Sequence, residues 1–448
     1  MSTTHRPSRR HALVAVTVAT PFVAIGALTA VALAQPPADR QAAQSFAFGQ
    51  DAARELKKAR AWAGPVAALE LQRDATRREL VMLMTPVLGL PAGPIGLAWR
   101  DIAADDPQGA AAKAAFEKGW LAAAGDALAL DTPLTGHDAN RAWTLGLRMG
   151  RAVARMGQFR DGAGRTFTLP EGFGTSITAR EAGLRRNYPS SDDQYERHDS
   201  QPLRLADLLL MASRGRYIRR AGIPSSVRAL QGFTIPAVDP IFVPTVQRAL
   251  SQVGNPYVWG GEWTDQNSPL DRQAAGGYDC SGLVWYVWNT GDRAAEAQIN
   301  MPSGRTTYTM NVGKRGKRIA WQRAQAGDLV FFGSGGRRTP LSQASHMSIS
   351  LGNKWIIHSS GGRGGVSISY LPTYWPSGLM NARSFRVDAT TPAAPDQPTT
   401  APPATTTPEP VTPAPITTPS PGTPQAPAPS PQPAPGPGAP QAPAPAPG

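Results

Sequence analysis

One cysteine occurs in 448 residues, Cys280, within GYDCSGLVWYVW at 277–288. A thiol attacks as its anion, and its free pKa of about 8.5 falls at a helix N-terminus or beside an imidazolium. Leu283, Val284, Val287 and Trp288 recur at helical spacing, and Asp279 stands where an N-cap belongs, so Cys280 falls in a first turn. Asp279 opposes an anion beside it, which leaves a histidine to settle the balance. Of six histidines, His5 and His11 lie in the N-terminal leader, and His137 and His198 in a helical region. His346 and His358 remain, on two consecutive strand-like runs in SHMSISLGNKWIIHSS at 345–360. These residue types support nucleophilic attack on a carbonyl, with Cys280 as nucleophile, His346 as base and His358 orienting it. No third metal ligand stands at a suitable spacing, so neither a metal nor a cofactor is expected.

The elements around these residues must bring the two imidazoles together. Along the first strand His346, Ser348 and Ser350 point one way, and Met347, Ile349 and Leu351 the other. A three-residue loop at 351–353, pairing Ser350 with Lys354, would set His346 directly opposite His358 on one face. A two-residue loop would send them to opposite faces. Asn353 tolerates the left-handed backbone that the longer loop needs. Residues 240–388 therefore read as one helix near Cys280 followed by the strands DLVFFG, HMSISLG, KWIIHSS and GVSISYL, an α+β unit.

Residues 35–239 read differently, as about six helices after a polar lead-in, because apolar residues recur three or four apart. One of them, NRAWTLGLRMGRAVARM, places Arg148, Arg151 and Arg155 on one face, read as solvated. The loop SSDDQYERHDS gathers Asp192, Asp193, Glu196, His198 and Asp199 and reads as hydrated rather than metal-binding. Residues 389–448 are a Pro-, Ala- and Thr-rich tail that buries too little apolar surface to order.

The first 34 residues have a basic start, an apolar run and Ala-Leu-Ala at 32–34, the pattern of an export signal cut after Ala34 or kept as an anchor. Membrane contact is expected only through this segment, if it stays uncut. The formal net charge of +13 calls for an anionic partner. Outside the cytoplasm that excludes nucleic acid and admits anionic wall polymers. An exported chain with one unpaired thiol keeps it as a buried small hydrophobe or as a nucleophile.

At these residues the chain resembles the NlpC family of secreted cell-wall cysteine peptidases. The matching blocks are GNPYVWGG at 254–261, DCSGLVWYV at 279–287, AGDLVFF at 326–332, SHMSISLG at 345–352, IIHSS at 356–360 and VSISYL at 366–371. The resemblance covers about a third of the chain and implies a papain-like fold over 240–388, in which a helix bearing the cysteine packs on an antiparallel sheet. It implies Cys280 as nucleophile, His346 as base and His358 as third polar residue, with Tyr257, Asp279 and Ser281 holding the free amine end of a peptide stem. The implied activity is hydrolysis of a peptidoglycan stem amide, between D-glutamate and a diamino acid. Acyl transfer through the same thioester, and a non-catalytic wall-binding or scaffolding role, are the competing readings. The sequence departs from the family in a long segment at 262–278 and in Ser348 and Ser350, where glycine and an aromatic are usual. The helical half is a cover, a wall-binding module or a platform.

Overall fold

The computed structural model describes residues 45–66, 69–123, 125–263, 276–290 and 304–386. The segment 1–34 read as an export signal, the Pro-rich tail and most of the long segment after Trp263 lie outside the described residues.

Apolar spacing in the first half becomes helices α1 (Ala47–Lys58), α2 (Arg77–Leu88), α3 (Gly109–Glu117), α4 (Gly136–Gly146), α5 (Gly150–Gly157), α6 (Phe173–Glu181), α7 (Leu205–Ala221) and α8 (Ser225–Leu230). Local chemistry sets several ends. Thr76 and Glu79 form a capping box that starts α2. The long helix expected over NRAWTLGLRMGRAVARM is broken, because Arg148 takes a left-handed φ of 63° between α4 and α5. Arg148, Arg151 and Arg155 therefore do not share one helical face, and Arg155 donates to the Phe233 carbonyl at 2.6 Å.

Helix α9 (Val243–Leu250) leads to a short ladder of β1 (Glu262–Trp263) with β2 (Gly277–Tyr278), then to α10 (Cys280–Asn289) and α11 (Thr307–Val312). Six strands follow: β3 (Lys317–Ile319), β4 (Leu329–Phe332), β5 (His346–Gly352), β6 (Trp355–Ser360), β7 (Gly365–Tyr370) and β8 (Leu379–Ser384). They form one antiparallel sheet in the order β3-β8-β4-β5-β6-β7. A short helix α12 (Leu371–Tyr374) joins β7 towards β8. Four of these strands match the sequence expectation; β3 and β8 carry Arg, Lys and Asn and give no strand signal.

The β5–β6 hairpin departs from both expected turns. Asn353 and Lys354, with φ of 51° and 66°, make a two-residue connection, and a register shift between Ser350 and Gly352 inserts one extra residue. The Ser350 hydroxyl accepts the Gly352 N–H at 3.1 Å and closes the bulge. The insertion restores the parity that a two-residue turn alone would have lost. Pairings Ile349↔Ile357 and Ser350↔Ile356 continue to Ser348 across from His358, so His346 lies diagonal to His358 on one face rather than directly opposite it.

The change of texture near residue 240 is not a gap in packing. Residues 45–386 fall in one compact unit, and one buried apolar cluster runs from Ala52 and Leu80 through Trp143 and Phe233 to Leu283, Ile357 and Phe385. A smaller cluster on the other face of the sheet includes Val330, Phe332 and Ile356, with Tyr374 and Trp375 packed against it.

Candidate active site

Asp279 accepts the Gly282 N–H at 2.5 Å, an N-cap that places Cys280 at the first position of α10. Leu283, Val284 and Val287 bury the helix against the sheet and lock its rotation. Cys280 is 8% exposed. Its side-chain partner is the Thr307 hydroxyl at 3.5 Å, and backbone N–H groups of Ser281 and Met347 also reach it. Met347 directly follows His346 on β5, so the sulfur meets that strand at the residue next to the imidazole. The thiol hydrogen-bonds to Thr307 rather than to a ring. Such contacts are often long until substrate binds.

His346 Nε2 lies 2.9 Å from His358 Nδ1 and 3.3 Å from the Tyr374 hydroxyl. His358 Nε2 is 3.0 Å from the Ser369 hydroxyl on β7. The two expected imidazoles are therefore joined, and Nδ1 of His346 is the ring nitrogen left outside this chain of contacts. Phe332 and Tyr374 wall the rings at centroid distances of 5.4 and 4.4 Å. Burial acts on all three groups. It pushes the Cys280 thiol up to about 11, with the Asp279 carboxylate adding to the rise. It pulls His346 down to about 4, and His358 well below its usual range, the latter helped by the His346 ring and the Arg363 guanidinium. Burial and Asp279 both oppose a thiolate at the helix start, and with His346 held neutral no imidazolium offsets them at rest.

Tyr257 is half-buried, bridges Tyr278 and has its hydroxyl raised by burial and by the neighbouring Cys280 and Asp279. Asp279 and Ser281 meet a cation already present in the chain. Arg305 donates to Ser281 Oγ at 2.9 Å and to Asp279 Oδ1 at 3.3 Å, and pairs with buried Glu262. Arg305, Thr307 and Tyr374 escape sequence reasoning because they lie in segments without periodicity, and Ser369 because a serine on an alternating strand marks no chemistry by itself. A Thr306 capping box, readable in TTYT, is the one local signal for the element that carries Thr307.

The acidic loop of the helical half turns its carboxylates inward. Asp199 is fully buried and binds Arg180 at 2.6 Å and Arg185 at 3.2 Å, while Arg180 also donates to the Gly254 carbonyl at 3.2 Å. Asp193 accepts the Trp259 N–H at 3.0 Å, and its carboxyl is pushed up to about 6 by burial. The loop is thus a joint to the cysteine-bearing half, not the hydrated loop expected.

Residues 254–384 match the NlpC/P60 family. Over 141 residues the chain is 37% identical to the probable peptidoglycan endopeptidase LytE of Bacillus subtilis (strain 168), covering 31% of this chain and 33% of that protein. It is 33% identical over 157 residues to the gamma-DL-glutamyl hydrolase of the same organism, covering 33% of this chain and 31% of that one. Among solved structures, the NlpC/p60 domain of the peptidoglycan hydrolase SagA aligns with 33% of this chain and 99% of its own, at 28% identity and a TM-score of 0.24. The chain spans between 28% and 50% of the length of the first curated relatives it matches. With the cysteine helix, the antiparallel sheet and the histidine strands in the family's order, residues 254–384 are an NlpC/P60 domain.

Proposed function

We propose that the protein is a secreted peptidoglycan endopeptidase that hydrolyses an amide in wall peptide stems, the bond between D-glutamate and a diamino acid. The observation that carries this reading is the 2.9 Å His346–His358 contact at the strand end whose next N–H reaches the sole thiol. Names of similar proteins, a peptidoglycan endopeptidase and a gamma-DL-glutamyl hydrolase, support the substrate class.

In this mechanism substrate binding displaces the thiol proton to His346 Nδ1 as Sγ forms its bond to the amide carbonyl carbon. First-turn N–H groups of α10 stabilise the oxyanion. The His346 proton then passes to the leaving amine as the C–N bond breaks, and water hydrolyses the thioester. His358 keeps the base oriented. Tyr257, Asp279 and Ser281 receive the stem's free amine end, and because Arg305 already neutralises Asp279, the ammonium shares that carboxylate with a guanidinium. The 1–34 leader provides export, the 389–448 tail a spacer, and the basic surface contact with anionic wall polymers. The 35–239 segment serves as a positioning module for the peptidase segment at 240–388.

Incubating the protein and Cys280→Ala with defined muropeptides, and reading product masses, tests the proposal. Cleavage at the expected amide by the wild type, with a loss of at least about a thousandfold in the variant, is the expected result. Equal product from both proteins would sink a Cys280 mechanism, and higher-mass species would point to acyl transfer.

A further inference from the structure

The contacts behind His358 lead out of the NlpC/P60 domain and into the helical half. Ser369 donates to Glu181 Oε1 at 2.5 Å, and Ser367 on the same strand reaches the same oxygen at 3.4 Å. Arg363 Nε lies 3.0 Å from that oxygen as well. Glu181 is the last residue of α6, lies far outside residues 254–384, and is 2% exposed. Its place is fixed from both sides: Arg180 before it is held by Asp199 and the Gly254 carbonyl, and its own carbonyl accepts the Ser226 hydroxyl at 2.7 Å.

A hydroxyl has one proton, so the direction in which Ser369 donates decides the rest of the chain. The Arg363 guanidinium 3.0 Å from Glu181 Oε1 and the two serine hydroxyls facing that oxygen favour the ionised carboxylate, which only accepts, against the rise that burial imposes on it. The Ser369 proton therefore goes to Glu181, and its lone pair is what faces His358 Nε2. Neutral His358 then carries its proton on Nε2 and presents a bare Nδ1 to His346. Neutral His346 accordingly holds its proton on Nε2, and its Nδ1 keeps a lone pair. Reversing the Ser369 hydroxyl would reverse every step and leave His346 protonated on Nδ1, the nitrogen that has to receive the thiol proton.

We infer that Glu181 is a positioning residue for the Cys280 site: by accepting the Ser369 hydroxyl it polarises the Ser369–His358–His346 chain and holds His346 in the tautomer that can act as base. The inference rests on the hydrolase reading above for its meaning, not for its test. The helical half, in this account, supplies part of the machinery instead of covering it. Groups facing Glu181 are Arg363, Ser367 and Ser369, with His358 one contact further.

The test uses the full chain with 15N-labelled histidine, substrate-free, and long-range N–H correlation spectra that assign the protonated nitrogen of each ring. Wild type is expected to show Nε2–H on both His346 and His358, and Ser369→Ala and Glu181→Leu to populate Nδ1–H on His346. Glu181→Gln, whose amide oxygen still accepts, is expected to restore the wild-type pattern. On muropeptides, kcat should fall about tenfold to a hundredfold in Ser369→Ala with KM little changed, the size seen for outer partners that orient metal-bound imidazoles. Ser369→Ala leaves the Glu181–Arg363 ion pair in place and so keeps the test valid if Glu181→Leu fails to fold. Nδ1–H on His346 in the wild type, or Nε2–H retained in Ser369→Ala with unchanged kcat, would overturn the inference. A wild type that cleaves nothing but shows the expected tautomers would refute the hydrolase reading alone.

Discussion

At the scale of single residues, the site rests as a neutral pair. A thiol raised to about 11 is protonated below that pH, and an imidazole lowered to about 4 is unprotonated above it, so throughout the interval between those values neither carries charge. Because Cys280 is the only cysteine, its alkylation rate reports its ionisation without interference. In the free protein that rate should keep rising into the alkaline range; a plateau reached below neutral pH would contradict a desolvated thiol. Asp279→Asn keeps an N-cap while removing the carboxylate that raises the thiol, so its alkylation profile should move to lower pH. Cys280, His346 and His358 were legible in sequence because their types are scarce and chemically distinctive. Glu181 and Ser369 were not, since one carboxylate among 32 acidic residues and one serine in a strand acquire meaning only through a contact made across 188 positions.

At the scale of elements, the β5–β6 bulge is what lets both imidazoles use one face of the sheet. Gly352 sits at φ 84° in the bulge, and a Cβ there would come within 2.5 Å of Pro236 Cδ. Gly352→Ala is therefore expected to cost about 1–3 kcal/mol, from positive-φ strain and overpacking, with a loss of activity beyond what the stability change explains. Denaturant midpoints compared with kcat check this; an activity that tracks folded fraction alone would count against a register role. Strand identities came through from alternating residues in β5, β6 and β7, whereas the extra residue did not, because hydrophobic alternation fixes a strand's two faces but not the count in its turn. Ser350, a departure from the family pattern, has a local explanation in the same place, as the acceptor that closes the bulge. Helix ends were least readable: only a left-handed Arg148 divides α4 from α5, and arginine does not announce that conformation.

At the scale of the whole molecule, the two textures visible in the sequence fold as one body. Asp199, fully buried between Arg180 and Arg185, ties α6 to the backbone at Gly254, where the NlpC/P60 match begins. Removing that carboxylate strands two buried guanidinium groups, so Asp199→Ala should destabilise the chain by about 3–5 kcal/mol. Calorimetry should show one transition for residues 45–386 in the wild type, lowered as a whole in the variant. Two separate transitions, with only the first moved, would show that the halves unfold independently. Phe233 and Trp355 meet edge-to-face across the seam at a centroid distance of 4.9 Å, and Gly352 packs on Pro236. A fragment cut to the boundaries of the family match would thus carry a bare indole and a severed aromatic pair on its surface. Recombining this peptidase segment with foreign partners, by evolution or by engineering, would require bringing its helical scaffold along as a single inherited block.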